Sequence, residues 1–141
     1  MKTYKSTHMV RYEDLNHHKN LYAGRAIEWM IESSFISASL AYGDGEGLLY
    51  KNTHKFDFTR SVLPGEIISF ASTVVRAGTT SLTMHVHLID ETTGEKKAEA
   101  FTTFVTVEPG TNRSVKHGMV LDETDDEEEI KWRKEAGGFF K

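Results

Sequence analysis

Three charged residues, Arg25, Glu28 and Glu32, recur at spacings of three and four in an otherwise apolar stretch. On a helix this spacing places them in one stripe. A carboxylate in such surroundings can act as a general base that activates water, or as a nucleophile. Glu32 is therefore the first candidate for a catalytic carboxylate, and Glu28 is the second. The alternative interpretation of Glu32 is a surface acid that pairs with Arg25.

A polar loop, residues 13–20, precedes this stretch. The amide of Asn16 can orient a water molecule or bind a carbonyl group, although an Asx-type turn explains an asparagine there equally well. Beyond the loop, the backbone N–H groups of Ala23 and Gly24 lie near the expected start of the helix, where they can donate to an oxyanion. The small residue Gly24 also allows a ligand to approach closely. Asn16, Ala23 and Gly24 thus join Glu32 as candidate catalytic residues.

Other kinds of chemistry find little support in the sequence. His17 and His18 are adjacent, and His85 and His87 share one face of a predicted strand, but two-residue clusters without carboxylates are a weak pattern for a metal site, so none is predicted. The chain has no cysteine, which excludes disulfides, thiolate metal sites and a Cys nucleophile. It has no Gly-x-Ser-x-Gly motif either, which excludes the nucleophile elbow of an α/β-hydrolase.

The helix that carries the charged stripe is predicted to run from about Leu21 to about Ala41. Asn20 is predicted to cap its start, and the glycines at 43, 45 and 47 are predicted to end it. Apolar residues cover most of its circumference, which is typical of a buried helix. They are Leu21, Tyr22, Ala26, Ile27, Trp29, Met30, Ile31, Phe35, Ile36 and Leu40.

The remaining segments of the body are predicted to be strands. One, residues 3–12, precedes the helix, and four follow it, at 47–60, 65–76, 80–89 and 96–107. The clean alternation of apolar and polar residues in the strand at 80–89 indicates a sheet with one face on the core. Short turns between the later strands favour an antiparallel meander. The sequence therefore predicts an α+β fold in which a curved antiparallel sheet wraps around a long central helix.

The chain is predicted to divide into a domain of residues 1–110 and an acidic helical tail of residues 111–141. Thr124 and Glu127 match a capping box, and Gly137 and Gly138 are predicted to end the tail helix. The simplest interpretation of the acidic run is a helix start with a solvated face. Seven acidic residues crowd into it, namely Asp122, Glu123, Asp125, Asp126, Glu127, Glu128 and Glu129.

Composition narrows the classes of partner. Without the acidic run, the chain has 17 basic and 14 acidic residues. This mildly basic body suits a small polyanionic ligand but is too weakly charged to indicate nucleic-acid binding. No apolar run approaches the length of a membrane span, and the first residues do not resemble a signal peptide. A cytoplasmic protein with no membrane partner is expected.

Three segments, taken in their order and spacing, resemble acyl-CoA thioesterases of the cytosolic acyl-CoA hydrolase family. The first runs from Asp14 to Glu32 and holds an Asn, a small-residue turn and the start of the helix. The second, FTRSVLPGE at residues 58–66, is similar to the family's Phe-x-x-Pro-Val-x-x-Gly-Asp. The third, GTTSL at residues 78–82, is similar to its Gly-Thr-Thr-Ser segment. The resemblance spans roughly residues 8–110.

This resemblance implies a hot-dog fold, with sites at the interface of a homodimer or a larger homo-oligomer. It places the family's usual catalytic Asp at Ile31, with Glu32 one residue later. Some domains of the family carry Ile-Glu here and complete their site with an Asp from a partner domain. The family's Gly-Gly turn becomes Ala23-Gly24, and its Pro and Asp become Ser61 and Glu66.

The expected activity is that of an acyl-CoA thioesterase, which hydrolyses a CoA thioester through carboxylate-assisted attack of water. No cofactor is expected, because CoA is part of the substrate. Two alternatives stay open: a non-catalytic module that binds acyl-CoA or acyl-carrier protein, and a hot-dog hydratase or dehydratase. Six residues are candidate contacts to CoA, although an ordinary role in a hairpin turn could also explain each of them. These contacts are Arg60, Arg76, Gly78, Thr79, Thr80 and Ser81.

Overall fold

The structure, a computed structural model, describes residues 3–140 and confirms the predicted succession of one strand, one long helix, four strands and a second helix. Two single-turn 3-10 helices, Tyr12–Asp14 and Gly45–Gly47, flank the long helix. The larger elements are β1 (Thr3–Met9), α1 (Ala23–Tyr42), β2 (Leu48–Phe58), β3 (Ile67–Ala77), β4 (Ser81–Asp90), β5 (Lys96–Thr106) and α2 (Glu127–Gly138).

The five strands form one antiparallel sheet in the order β1-β3-β4-β5-β2. The predicted meander is correct for β3, β4 and β5 but wrong for β2, which pairs with β5 at the far edge. Residues 59–66 therefore cross the end of the sheet instead of forming a hairpin. Buried Val62 anchors this crossing, because its carbonyl accepts a hydrogen bond of 2.8 Å from the N–H of Leu21.

The inner face of the sheet packs on α1 as the alternation in β4 predicts. Leu82, Met84, Val86 and Leu88 are all fully buried in the core that α1 shares with the sheet. Burying each such side chain contributes roughly 2 kcal/mol. The intervening polar residues of β4 face the other side of the sheet. Two of them, Thr83 and His85, are also buried, so both faces of this strand are covered.

The start of α1 lies two residues later than predicted. The helix begins at Ala23 with Tyr22 as its N-cap, and no side chain caps it, so the predicted Asn20 cap is wrong. The reason is that Leu21 is still extended, pairing with Leu15 in an isolated β-bridge. At the other end, Gly43 adopts a φ of 89° and its N–H donates to the carbonyl of Ser39, as expected for a glycine C-cap.

One side of α1 is not covered by this chain. Glu28, Glu32, Ile36 and Leu40 are exposed and lie four residues apart, and Ile36 and Leu40 are 46% and 57% exposed. The prediction that α1 is buried all round is therefore wrong for the single chain. A sheet has only one inner face, so it can cover only one side of the helix.

The outer face of the sheet is covered in part by α2. Ala136 is buried there, and Trp132 and Phe139 pack on Val75 and Phe101 of the sheet. Within residues 3–140, no helix is long and apolar enough to cross a membrane.

The ends of α2 also depart in part from the prediction. Its N-cap is Asp126, whose carboxylate accepts a hydrogen bond of 3.0 Å from the N–H of Glu129, so the predicted capping box at Thr124 lies two residues too early. Glu129 and Arg133, one turn apart on the helix, form an ion pair at 2.8 Å. The helix ends at Gly138, as predicted.

Candidate active site

The loop between the first 3-10 turn and α1 is closed by its own backbone. The N–H of Tyr22 donates to the carbonyl of Asp14 at 2.8 Å, and the N–H of Asn16 donates to the carbonyl of Asn20 at 2.8 Å. At the tip, Lys19 has a φ of 61°, a left-handed conformation that a side chain makes unfavourable. These bonds hold residues 14–22 as a compact projection beside the start of α1.

The side chain of Asn16 takes part in the loop and still has hydrogen-bonding capacity. Its Oδ1 accepts hydrogen bonds from the N–H groups of His18, at 2.9 Å, and Asn20, at 3.2 Å. Both partners are donors, so the oxygen must be the atom that faces them. The Asx turn expected as the alternative is thus present, and the Nδ2 group of Asn16 remains available to donate. Asn16 can therefore act on a substrate as a donor.

The first turn of α1 offers two further donors. The N–H groups of Arg25 and Ala26 donate to the carbonyl of Tyr22 at 3.0 and 3.1 Å. Across residues 3–140, neither Ala23 nor Gly24 has an acceptor for its N–H. The helix dipole adds partial positive charge at this end. Two neighbouring donors with this electrostatic bias are suited to an oxyanion.

A cleft of about 290 Å³ brings several of the predicted residues together. Asn16, Ala23 and Arg60 line it, and Leu21 and Phe58 give it apolar walls. Its lining also includes three polar residues that were not among the candidate site residues predicted from the sequence: Asn20, Thr59 and Ser61. Thr59 and Ser61 could have been found from the sequence, because they flank Arg60 in the second motif.

A buried lysine fixes one wall of this cleft. Lys97 is only 6% exposed, and its Nζ donates to the carbonyl of Ser61 at 3.0 Å. The same Nζ contacts both carboxylate oxygens of Glu66, at 2.9 and 3.1 Å. A buried cation needs such a partner, because an unpaired one is costly. Arg60, by contrast, is exposed at the rim, with its Nε 4.0 Å from Glu95.

The other predicted contacts to CoA lie at the opposite end of the sheet. The turn from Gly78 to Thr80 joins β3 and β4 beside the start of β2, whereas the cleft lies at the end of β2. Strands of this length separate the two ends by roughly 30 Å. Within one chain, these residues therefore cannot share a ligand site with Asn16.

Local hydrogen bonds also account for this hairpin. Arg76 Nη1 donates to Ser81 Oγ at 3.1 Å, and the N–H of Gly78 donates to the Ser81 carbonyl at 2.9 Å. The carbonyl of Thr80 accepts from Thr106 at 2.8 Å. The carbonyl of Thr79 accepts from the N–H of His117 at 3.3 Å. The side chain of Arg76 lies 3.9 Å from the ring centroid of Phe140.

Glu32 does not line the cleft of its own chain. It follows Ala23 by nine residues, or about 13 Å along the helix axis. Arg25 does not pair with it: the guanidinium lies 3.4 Å from Asp14 and 3.5 Å from Glu28. Glu32 is therefore an exposed carboxylate on the open side of α1, and only a second molecule can bring it to a cleft.

The two histidine pairs occupy different environments. His17 and His18 are exposed, with ring centroids 3.9 Å apart. His85 is buried against Trp132, with its Nε2 2.9 Å from the Glu99 carboxylate, and burial lowers its pKa to about 4. Burial likewise lowers the pKa of His87. Among residues 3–140, no three His, Asp or Glu side chains are grouped as a metal site.

Solved structures of similar fold are acyl-CoA hydrolases and thioesterases. The acyl-CoA hydrolase of Bacillus cereus is 27% identical, with a TM-score of 0.81 over 97% of this chain and 83% of that one. The Staphylococcus aureus acyl-CoA hydrolase, solved with butyryl coenzyme A, coenzyme A and coenzyme A disulfide, is 22% identical, with a TM-score of 0.81 over 97% and 80%. A hexameric thioesterase from Yersinia pestis is 16% identical, with a TM-score of 0.71 over 84% and 94%.

These likenesses confirm the hot-dog fold expected from the three sequence segments. No curated protein sequence matches the chain significantly. A family model described as the thioesterase superfamily matches residues 18–97, which include α1, β2, β3 and β4 together with part of the cleft. The match covers more than half of the chain. The protein therefore belongs to the thioesterase superfamily.

Proposed function

We propose that this protein is an acyl-CoA thioesterase that hydrolyses the thioester bond of an acyl-CoA. The observation that carries the proposal is a group of donors: the Nδ2 of Asn16 and the N–H of Ala23, which line the cleft, and the N–H of the adjacent Gly24, which does not line it. Within residues 3–140, neither backbone N–H has an acceptor. The similarity to the acyl-CoA hydrolases of B. cereus and S. aureus supports the same activity.

The donors fit a simple hydrolysis. The oxygen of water attacks the carbonyl carbon of the thioester while a base takes the proton. The carbonyl oxygen becomes an oxyanion, which the N–H groups of Ala23 and Gly24 stabilise. Asn16 donates from Nδ2 to the carbonyl oxygen or fixes the attacking water. Collapse of the intermediate expels the CoA thiolate, which takes up a proton, and leaves the carboxylic acid. The chemistry requires no cofactor.

The base in this proposal is the partner's Glu32 in a homodimer. The open side of α1 carries the Glu28, Glu32, Ile36 and Leu40 stripe, and packing against a second copy would cover it. In a twofold dimer, a Glu32 that reaches the partner's cleft is matched by the reverse contact, so two equal sites form. Larger assemblies of such dimers are compatible with this scheme, as in the Yersinia pestis thioesterase, which is described as hexameric.

The same symmetry offers a role for the residues at the far end of the sheet. A twofold axis between two sheet edges places opposite ends of the two copies side by side. The CoA portion would then contact Arg60 at the cleft rim and the hairpin of the partner. The proposed hairpin contacts are Arg76, Gly78, Thr79, Thr80 and Ser81.

One observation favours a second candidate function. Ile31 occupies the position at which related enzymes are expected to carry their Asp, and Glu32 stands outside the cleft of its own chain. A protein with these donors but without a correctly placed base would bind acyl-CoA without hydrolysing it.

Release of free thiol from acyl-CoAs of several chain lengths, together with CoA binding by calorimetry, separates the two functions. The proposal predicts thiol release by the wild type, and a dimer or larger assembly by sedimentation at micromolar concentration. CoA binding without thiol release would favour the binding module. A clean monomer would contradict the shared site. A parallel assay with an enoyl-CoA would identify a hydratase if the product is the hydrated acyl-CoA.

A further inference from the structure

A buried carboxylate behind the cleft has no place in the proposed chemistry. Asp14 is only 6% exposed, although it lies in a polar loop. A buried charge is costly unless it is bonded or used. Its side chain faces a polar groove that Arg25 and Trp29 also line, on the other side of the loop from Asn16. Asp14 therefore does not reach the space where a thioester would bind.

Asp14 joins three parts of the chain through its bonds. Its Oδ2 accepts a hydrogen bond of 2.9 Å from the N–H of Arg11, which follows β1. Its Oδ1 lies 3.4 Å from Nε of Arg25 in the first turn of α1. Its backbone carbonyl accepts from the N–H of Tyr22, at 2.8 Å, and so closes the loop.

These three bonds lie on either side of the three donors proposed to act on the thioester. Asn16 follows Asp14 by two residues, and Ala23 and Gly24 lie between the bonded residues Tyr22 and Arg25. The distance from the Asn16 amide to the helix N–H groups thus depends on how the loop and the first turn are joined. We infer that Asp14 is a positioning residue that, through Arg25, holds Asn16 and the Ala23 and Gly24 N–H groups in register. Its catalytic consequence rests on the proposed thioesterase activity.

The test is the Asp14→Asn variant with Glu13→Gln as its matched control. Both remove one negative charge from neighbouring residues, but Glu13 is exposed, and its carboxylate lies 3.6 Å from the guanidinium of Arg11. In Asp14→Asn, the amide oxygen can still accept from Arg11 while the ion pair with Arg25 is lost. We expect kcat to fall about 10- to 100-fold, because small misplacements of reacting groups are costly, with KM changed less than about threefold. Glu13→Gln should keep the wild-type kcat.

A second readout does not depend on activity. Hydrogen exchange of the backbone amides of residues 15–25 should become faster in Asp14→Asn, while exchange in β4 and β5 stays unchanged. Arg25→Gln should reproduce both effects. The double variant should have the same kcat and the same exchange rates as either single variant, because all three remove the same contact between Asp14 and Arg25. Arg25→Lys, which keeps the charge, should restore part of the rate.

The outcomes are distinct. Unchanged kcat and unchanged exchange in Asp14→Asn would overturn the inference. A fall in kcat that only follows the loss of folded protein, with faster exchange throughout the sheet, would show a purely structural role and also overturn it. If the wild type releases no thiol, the proposed function fails, but faster exchange confined to residues 15–25 would still support the positioning role.

Discussion

The clearest question at the scale of single residues is what the amide of Asn16 contributes. Asn16→Asp separates its two roles, because a carboxylate can accept the same hydrogen bonds from the His18 and Asn20 N–H groups but cannot donate. We expect the loop to stay folded and the maximal rate of thiol release to fall about 100-fold or more, the usual scale for a lost oxyanion donor. Thermal melting, hydrogen exchange of the loop and steady-state kinetics measure these effects. A rate near that of the wild type would show that Asn16 only supports the loop.

Part of the candidate site could be predicted from the sequence. Asn16, Ala23 and Arg60 could be predicted because the motif order identifies them, and they line one cleft. Asp14 could not, because its type and position match an ordinary loop acid and only the fold shows that it is buried. The position of Glu32 relative to the cleft depends on a second molecule, which local sequence pattern does not describe.

At the scale of elements, the loop that carries Asn16 stores strain at Lys19. Its φ of 61° is unfavourable for a residue with a Cβ, at a cost of roughly 1 kcal/mol. Lys19→Gly should therefore raise the free energy of unfolding by up to about 1 kcal/mol, measured by urea denaturation. Lys19→Ala is the matched control, because it removes the same charge and keeps the Cβ. Equal stabilities of the two variants would contradict this explanation.

The interface between β4 and α2 makes stability depend on pH. Burial lowers the pKa of His85 from 6.5 to about 4, so the unfolded chain takes up its proton first as the pH falls. The stabilisation is complete above pH 6.5 and is lost progressively toward pH 4, by up to about 3 kcal/mol. Burial alone would raise the pKa of Glu99, but its hydrogen bonds with His85 and Lys96 lower it. That carboxylate extends the same trend below pH 4.5.

Urea denaturation between pH 4 and pH 7.5 measures this dependence. His85→Gln should flatten the curve, whereas His18→Gln, on the exposed loop, should leave it unchanged. The nearby charged groups are His87, Lys96 and Glu99 on the sheet and Glu128 on α2, and they are the same in both variants. An unchanged slope in His85→Gln would show that another group titrates, with His87 next to be tested.

Element types were predictable from sequence, and their arrangement was less so. The alternation in β4 indicated its buried face correctly, because period two is a local property. The position of β2 beside β5 was missed, since pairing at a sheet edge depends on where the crossing at residues 59–66 leads. The cover that α2 provides for the outer face was missed for a similar reason. The sequence of α2 begins with a run of acidic residues that indicates a solvated helix, and only a few residues, Trp132, Ala136 and Phe139, pack on the sheet.

At the scale of the whole molecule, a shared site can be tested by mixing inactive variants. If each site combines Asn16 of one copy with the partner's Glu32, both Asn16→Ala and Glu32→Gln homodimers lose about 100-fold in rate. Refolding them together gives mixed dimers that have one site with both wild-type residues. Because half of the dimers are mixed, the expected rate is about a quarter of the wild-type rate.

The mixing experiment carries its own controls. Each variant mixed with itself should stay inactive. Glu28→Gln, which removes a carboxylate from the same stripe of α1, should keep its activity. No recovery in the mixture, despite mixed dimers shown by mass spectrometry, would place the base in the same chain as Asn16 or elsewhere.

The cover that α2 gives the sheet also has a consequence for synthesis. Once Thr106 completes β5, the ribosome must add residues 107–138 before α2 is complete, which takes roughly two to six seconds at ordinary translation rates. During that interval the outer face, with Val75 and Phe101, has no helix to cover it. A nascent chain in this state exposes an apolar surface that chaperones bind and that favours aggregation. Slow codons in the segment before α2 would lengthen the exposure and lower the yield of folded protein.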